Sequence, residues 1–369
     1  MAFFHGFIIV WLSLTAIPFG CLGSYDYEKI SSVQKQKALF VFGDSLFDPG
    51  NNNYINTTTQ FQANWWPYGE SFFNPPSGRF SDGRLISDFI AEFAELPLIP
   101  SYFAICKDQF VHGVNFASGG AGCLAESYRG FVIDLKTQLK YFKKVVKDLK
   151  KKFGEKKSKR LLSNAVYMFS AGTNDYNNFN ATYPKEEYAK MVIGNLTYVL
   201  KGIYQEGGRK FAFLNLGPFG CAPGSRALNF QRGNKSGNCI EEMNTLAKIH
   251  NSALPKMLKH LEQQLPGFKY SLFDFFKVAT ERIDNPSKYG FKTSKIACCG
   301  TGPFRGIYSC GGKRQVKEYE LCKNVKDYIF FDSGHLTEVA YQQAAELMWN
   351  GTMDVTEPYN LNSFFNLPA

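Results

Sequence analysis

Short apolar runs that alternate with longer amphipathic segments are the feature that most constrains the fold of this chain. The runs cover residues 38–42, 111–117, 165–171, 210–216 and 268–275. The segments with helical periodicity cover residues 85–95, 132–153, 185–204, 240–265 and 337–349. Because each helix must cover an apolar face of a sheet, this alternation predicts crossover connections between parallel strands. We therefore expect an α/β fold, a three-layer sandwich with no linker dividing it.

The first 23 residues are typical of a secretory signal peptide. They contain no Asp, Glu, Lys or Arg, carry an apolar stretch at residues 7–17, and end in small residues at Cys21 and Gly23. The apolar stretch is shorter than the roughly 20 residues that a membrane-spanning helix needs. We therefore predict a signal peptide at residues 1–23 and a single domain at residues 24–369.

The cysteines and the glycosylation sequons agree with secretion. Loss of Cys21 leaves an even number of cysteines and no Cys-x-x-Cys motif, which favours disulfides over free thiols or a metal site. These cysteines are Cys106, Cys123, Cys221, Cys239, Cys298, Cys299, Cys310 and Cys322. The sequence leaves their pairing open. Predicted glycosylation sites are Asn56, Asn180, Asn195, Asn234 and Asn350.

The formal net charge of +10 has two interpretations, which depend on where the lysines lie. Many of them fall between Lys140 and Arg160, where apolar residues recur at steps of three and four. Those apolar residues are Leu139, Phe142, Val146, Leu149 and Phe153. The first interpretation is that the lysines form the solvent-exposed face of an amphipathic helix. The alternative is that they attract an anionic cell-wall or membrane surface. No pattern of a nucleic-acid-binding module is present, so no nucleic-acid partner is expected.

A serine stands directly after the first apolar run, in Gly43-Asp44-Ser45-Leu46. Gly119 follows the second run, and Asn174 follows the third. Asp332 and His335 lie in the loop before the last amphipathic segment. Because ligands collect at the carboxyl ends of parallel strands, we expect these residues to meet in one cleft. Together they suggest acyl transfer or ester hydrolysis.

His335 is the best candidate for a base that would activate Ser45. A serine hydroxyl is a poor nucleophile until a base takes its proton, and that base works best when a carboxylate fixes its tautomer. Asp332 precedes His335 by three positions, so one loop turn can join them. The alternative role of Asp332, as a helix cap, is compatible with this one. The remaining histidines are assigned to packing or to the surface: His112, His250 and His260.

The carbonyl oxygen becomes an anion during attack and needs donors already pointed at it. Three sources are available: the backbone N–H of Ser45, the backbone of Gly119, and the side-chain amide of Asn174. Alone, the glycine run at residues 119–122 could be a tight turn, and Asn174 could form an Asx-turn. Their shared position at strand ends favours an oxyanion hole.

Four blocks in this order resemble those of the GDSL (SGNH) hydrolases. They are Gly43-Asp44-Ser45-Leu46, the Gly119 loop, Gly172-Thr173-Asn174-Asp175, and Asp332-x-x-His335. The resemblance runs from about residue 38 to residue 349 and is closest to the plant GDSL esterase/lipase branch, with supporting strings at residues 47–54 and 78–84. It implies a flavodoxin-like, parallel five-stranded sheet, no metal or other cofactor, and enzymes that are mostly secreted and act on esters.

By this resemblance Ser45 would be the nucleophile, Asp332 and His335 its partners, and Ser45, Gly119 and Asn174 the oxyanion donors. One departure is Leu336, which stands where many relatives have proline, although Thr337 and Glu338 remain to start the helix.

We therefore expect a secreted, monomeric serine esterase or lipase that forms an acyl-enzyme on Ser45 from a small-molecule or lipid ester. Its expected location is the apoplast, the cell wall or the vacuole. One alternative is an acyltransferase that uses the same residues with a plant alcohol as acceptor. Another is a non-catalytic defence or binding glycoprotein. A metal role for Asp44 and Asp48 is the weakest reading, because no histidine accompanies them.

Overall fold

The computed structural model describes residues 37–104, 107–179 and 181–368 of the chain. The predicted signal peptide, Cys106 and Asn180 lie outside the described residues. The described residues belong to one compact unit. No helix in these ranges is both long enough and apolar enough to cross a membrane.

The centre of the fold is a five-stranded sheet in the order β1-β2-β3-β4-β7. The strands of the structure are β1 Leu39–Gly43, β2 Val166–Ser170, β3 Lys210–Leu214, β4 Lys269–Phe273, β5 Cys299–Gly300, β6 Glu320–Leu321 and β7 Thr356–Glu357. Strands β1 to β4 pair in parallel, and β7 pairs antiparallel to β4. Every residue of β1, β2 and β3 is buried, as expected of parallel strands covered on both faces.

The helices form the two outer layers of the sandwich. They are α1 Ile86–Phe93, α2 Leu135–Asn164, α3 Thr173–Asn177, α4 Lys185–Gln205, α5 Pro223–Gln231, α6 Glu241–Gln264, α7 Phe275–Asp284, α8 Glu338–Asn350 and α9 Leu361–Asn366. Residues of α2, α4 and α6 form a core with one face of the sheet, and residues of α1, α7, α8 and α9 form a second core with the other face. The predicted three-layer α/β architecture is confirmed.

The predicted strand at residues 111–117 is only partly formed. The backbone N–H of Val41 donates to the Val114 carbonyl at 3.0 Å, and the Phe116 N–H donates to the Val41 carbonyl at 2.8 Å. Only an isolated parallel bridge joins Val41 to Asn115. The N–H of Gly43, which would continue the pairing with this run, donates instead to the Gln138 side chain at 2.9 Å. The fifth strand of the sheet is therefore the antiparallel β7 and not this run.

The basic segment is a helix with the predicted amphipathic stripe. In α2, Leu139, Phe142, Val146 and Leu149 are buried, and most of the lysines are exposed. The helix continues beyond the predicted end at residue 153, past a kink at Gly154, whose φ of 77° is left-handed. The lysines thus form the solvent-exposed face of α2.

Three disulfides are present among the described residues: Cys221–Cys239, Cys298–Cys322 and Cys299–Cys310. The prediction of disulfides over free thiols is confirmed for these six cysteines and is wrong for Cys123 in this structure. Cys123 is a buried thiol. The two bridges at Cys298 and Cys299 join β5 to the loops on either side of β6, so the Gly- and Cys-rich segment at residues 298–322 is held as a compact excursion.

Candidate active site

The turn after β1 presents Ser45 at the carboxyl edge of the sheet. Gly43 has a φ of 137°, and a Cβ there would lie 2.0 Å from the carbonyl oxygen of Ser170, so only glycine fits. The N–H of Asp44 donates to that same carbonyl at 3.1 Å, and the Leu46 N–H donates to the Asp44 carboxylate at 3.1 Å. These bonds fix the backbone on both sides of Ser45.

The loop before α8 brings the predicted acid and base together. The Nδ1 atom of His335 lies 2.8 Å from Oδ1 and 3.0 Å from Oδ2 of Asp332. The Nε2 atom of His335 lies 2.8 Å from Ser45 Oγ. Serine, imidazole and carboxylate therefore stand in series, although Ser45 and His335 are 290 positions apart in the chain. The structure brings together all three residues predicted for this role.

The Asp332 carboxylate is fully buried and heavily hydrogen-bonded. Its Oδ1 accepts the backbone N–H groups of Gly334 and His335 at 2.9 Å each, and its Oδ2 accepts the Tyr68 hydroxyl at 2.7 Å. Burial alone would raise the pKa of Asp332, but the charge of His335 and its bond, with the more distant charge of Arg314, hold that pKa at about 2. The carboxylate stays ionised and can stabilise an imidazolium.

The buried Tyr68 and Arg314 and the half-buried Tyr308 form a support behind Asp332 that no motif of the sequence marks. The Arg314 guanidinium donates to the Tyr308 hydroxyl at 2.8 Å and to the Cys310 carbonyl at 3.0 Å. It also lies 3.7 Å from the centre of the Tyr308 ring. Since Cys310 is cross-linked to Cys299, the disulfide excursion holds this cation beside the acid. The one feature of the sequence that could have identified Arg314 is its position in the Gly- and Cys-rich segment.

Leu336 supplies a backbone N–H where proline would have none. That N–H donates to the Tyr341 hydroxyl at 3.4 Å, and the side chain of Thr337 caps α8 by accepting the Ala340 N–H. The Phe331 N–H also donates to the His335 carbonyl at 2.8 Å. These bonds hold the His335 loop without a proline.

The first two glycines of the loop at residues 119–122 lie in different settings. The Gly119 N–H donates to the Asp48 carboxylate at 2.8 Å, so this donor points away from the cleft. Gly120, whose φ of 83° is left-handed, lines the cleft beside Ser45. The predicted oxyanion donor, the Gly119 N–H, is thus already bonded to the Asp48 carboxylate in this structure.

Asn174 lies in α3 and also lines the cleft. Its side-chain amide donates to the Ala121 carbonyl at 3.0 Å, which leaves the second N–H of the amide for other partners. The neighbouring Asp175 is buried and accepts the Cys123 N–H at 2.8 Å and the Ser127 hydroxyl at 2.6 Å. These bonds tie α3 to the glycine loop.

Asp44 and Asp48 are buried carboxylates whose partners are protein donors. Burial raises the pKa of Asp48 to about 6 even though it accepts the N–H groups of Gly50, Asn51 and Gly119. Within the described residues, the one cluster with metal-ligand spacing contains the disulfide-bonded Cys221 and Cys239, so it offers no thiolates.

The other histidines of the described residues, His112, His250 and His260, do not line this site. His250 is buried on α6, where its Nδ1 is 3.1 Å from the Tyr176 hydroxyl and burial lowers its pKa to about 3. Burial also lowers the pKa of His112. Neither lines the cleft.

A cavity of about 500 Å³ opens at Ser45. Its polar end contains Ser45, Gly120, Asn174 and His335. Its other walls are mostly apolar and come from residues 60–61, from the segment at residues 217–225, from α7 and α8, and from the loop before α8. Tyr308 also lines it, so the disulfide excursion does border the cleft. A cavity of this size and character fits a small organic ligand.

A serine hydroxyl bonded to a histidine that is bonded to a buried carboxylate, at the edge of an α/β sheet, is the arrangement of a serine hydrolase. The chain belongs to the GDSL-like lipase/acylhydrolase family, whose sequence model matches residues 39–348.

Three plant proteins show the extent of the similarity. The "GDSL lipase" of Tanacetum cinerariifolium is 50% identical over 97% of this chain and 93% of its own length. The "GDSL esterase/lipase 2" of Arabidopsis thaliana is 50% identical over 98% of both chains. The "GDSL esterase/lipase 5" of the same plant is 51% identical over 90% of this chain and 88% of its own length. This chain is accordingly a carboxylic ester hydrolase of the serine esterase/lipase type.

Proposed function

We propose that Ser45 is the nucleophile, His335 the general base and Asp332 the group that orients the imidazole. The Nε2 atom of His335 accepts the Ser45 proton while Oγ attacks the ester carbonyl carbon. The same proton then passes to the leaving alcohol, and the acyl group stays on Ser45. Water, deprotonated by His335, attacks the acyl-enzyme and releases the free acid.

The series of hydrogen bonds from Ser45 through His335 to Asp332 carries this proposal. Both distances are 2.8 Å, which is within reach for proton transfer without rearrangement. The low pKa of Asp332 supports the role, since a carboxylate that stays ionised holds Nδ1 as the protonated nitrogen.

We propose that the oxyanion is bound by the backbone N–H groups of Ser45 and Gly120 and by the amide of Asn174. The bond from Gly119 to Asp48 favours Gly120 over Gly119, and it fixes the peptide before Gly120. Donors aimed in advance at the developing charge contribute roughly 10²- to 10³-fold each to the rate.

The replacement Ser45→Ala tests this proposal. It removes the nucleophile, so turnover of nitrophenyl acetate should fall by at least roughly 10⁴-fold, to the level left by binding and oxyanion donors. The matched control is Ser163→Ala, at the end of α2 and away from the cavity, which should keep full turnover. Full turnover by the Ser45→Ala protein would contradict the mechanism.

We also propose that the mature protein is a secreted, glycosylated monomer that begins after residue 23. The disulfides support an oxidising compartment, and Asn56, Asn234 and Asn350 are exposed. Asn195 is half-buried within α4. N-terminal sequencing and the mass of the protein recovered from a plant apoplast test these points. A chain that retains residue 1 and carries no glycan would refute them.

The exposed basic face of α2 supports peripheral attraction to an anionic cell-wall or membrane surface. The exposed basic residues are Lys140, Lys143, Lys144, Lys147, Lys151, Lys152, Lys156, Lys157, Lys159 and Arg160. Such attraction weakens as salt rises. Retention on polygalacturonate beads that is weak at low salt, or unchanged by salt, would exclude it.

A further inference from the structure

Part of the cavity wall lies on α7, on α8 and on the loop before α8, and most of its residues are apolar. We call this part of the cavity the acyl arm. Its walls include Val278, Ala279, Ile283, Phe330, Ala340 and Ala344. On α8 the wall residues are alanines one turn apart, and their small side chains leave the space. Since α8 begins just after His335, the arm extends about 9 Å along this helix to Ala344.

Arg282 stands where the acyl arm meets a second cavity. It contributes to the walls of both, and among the residues that the structure describes it is the only lysine or arginine that lines the main cavity. Arg282 is only 8% exposed. A guanidinium among mostly apolar wall residues is an expensive group to bury and therefore indicates a partner.

The protein partners of Arg282 are neutral. Its Nε donates to the Gln343 side chain at 3.0 Å, its Nη1 donates to the Val278 carbonyl at 3.2 Å, and its plane lies 4.3 Å from the Tyr289 ring centre. A guanidinium has five N–H donors, so these contacts use two of them. In the described part of the chain, no ion pair within 4.0 Å holds Arg282.

A second buried arginine shows how a guanidinium with a purely structural role is placed in this fold. Arg226 donates to the carbonyls of Cys221 and Gly237, and it lines neither cavity. Its guanidinium serves the loop that the Cys221–Cys239 bridge closes. Arg282 has comparable burial but borders the space that leads to Ser45.

We propose that the acyl arm selects acyl chains that end in a carboxylate, which the guanidinium of Arg282 receives. The preferred substrates are then half-esters of dicarboxylic acids, with the ester at Ser45 and the free carboxylate at Arg282. This inference rests on the proposed function of Ser45. A carboxylate matches the fork of a guanidinium, and charge-assisted bonds of this kind are about twice as strong as neutral ones.

Glu346 is the acidic residue that faces the same place from α8. It lines the second cavity, and its charge, with that of Glu281, acts on Arg282. Glu346 is exposed and bonds to Gln342 on its own helix. It therefore weakens the attraction that Arg282 exerts on a ligand carboxylate without occupying the guanidinium.

The test compares three nitrophenyl esters: the octanoate, the half-ester of suberate, and the methyl ester of that half-ester. The first ends in a methyl group, the second in a carboxylate, and the third in a neutral acceptor. The wild-type protein should turn over the suberate half-ester with a kcat/KM roughly ten-fold or more above the octanoate. The methyl-capped ester should fall between them, since it keeps an acceptor and loses the charge.

Replacement variants separate the role of Arg282 from folding. Arg282→Met should abolish the preference while turnover of the octanoate persists, and Arg282→Lys should keep part of it. Glu346→Gln should increase the preference by about two-fold. The matched control Arg232→Met removes an exposed charge at the end of α5 and should leave the ratio unchanged.

A wild-type protein that favours the octanoate, or treats all three esters alike, would overturn the proposal, and this result needs no variant. An Arg282→Met protein that keeps the wild-type preference would overturn it as well. Both results leave the proposed function intact, provided that Ser45→Ala still abolishes turnover of the octanoate. If Ser45→Ala retains that turnover, the proposed function itself fails.

Discussion

Two buried carboxylates flank the bond between Ser45 and His335, and their pKa values move in opposite directions. Asp44 is 2% exposed and Asp332 is 0% exposed, so burial is nearly the same. Burial raises the pKa of Asp44 to about 7, whereas the pKa of Asp332 is held at about 2. Burial alone therefore does not decide where negative charge resides in this site.

The hydrogen-bond partners and neighbouring charges of each carboxylate decide whether its pKa rises or falls. Asp44 accepts bonds from the Leu46 N–H and the Ser170 hydroxyl, which are neutral groups. Asp332 accepts two backbone N–H groups and the Tyr68 hydroxyl, and it faces the imidazole of His335 with Arg314 behind. The site thus keeps a fixed negative charge behind the imidazole and a readily neutralised carboxyl beside the nucleophile. This distribution favours proton transfer from Ser45 to His335.

The largest effect is expected from Asp332→Asn. The change keeps the shape but removes the charge, and an amide N–H would face Nδ1 and favour the wrong tautomer. We expect kcat on nitrophenyl acetate to fall by roughly 10⁴-fold at neutral pH. The control Asp354→Asn alters an exposed aspartate and should have no such effect. A loss of less than ten-fold in the Asp332→Asn protein would mean that the charge behind the imidazole is dispensable.

An intermediate effect is expected from Arg314→Met. Without this cation, the pKa of Asp332 should rise, because one of the charges that lowers it is gone. We expect kcat/KM to fall by roughly ten-fold and the acid limb of the pH profile to move to higher pH. Arg314→Lys keeps the charge and should restore the limb. Activity that falls without any movement of the limb would assign Arg314 a structural role only.

The smallest effect on turnover is expected from Asp44→Asn, which mimics the neutral carboxyl and keeps an acceptor for the Leu46 N–H. We expect kcat/KM to stay within about three-fold of the wild type. Because the pKa of Asp44 is higher in the folded protein than the ordinary value of 3.8, the folded protein holds this proton more tightly than the unfolded chain does. Asp44 therefore adds to the free energy of unfolding fully below pH 3.8, and this stabilisation is lost as the pH rises through about 7. Urea unfolding across that range should show the wild type losing stability relative to Asp44→Asn. Equal pH dependence of both proteins would contradict the assignment.

The parts of the fold that follow from local periodicity were predictable. The runs that became β1, β2, β3 and β4 and the long amphipathic helices have patterns that persist over many residues. The run at residues 111–117 has the same composition, yet the Gly43 N–H that would extend its pairing with β1 donates to the Gln138 side chain. A pattern of apolar residues does not reveal such side-chain bonds.

The catalytic pair was predictable because Asp332 and His335 are close in sequence, and Ser45 because a strand precedes it. Tyr68 was not, since it lies 264 positions from Asp332 and no local pattern marks it. The choice between Gly119 and Gly120 depends on the direction of one peptide N–H, which the Asp48 carboxylate sets. Arg282 likewise gains its meaning only from the cavity that α7 and α8 enclose.

Reaction with a fluorophosphonate, followed by peptide mass spectrometry, tests the central claim most directly. Such a reagent attaches to a serine only where a neighbouring base withdraws its proton. We expect one adduct, on Ser45, that is absent from the Ser45→Ala protein and strongly reduced in the Asp332→Asn protein. Folded protein that carries no adduct, or carries it on a different side chain, would contradict the account.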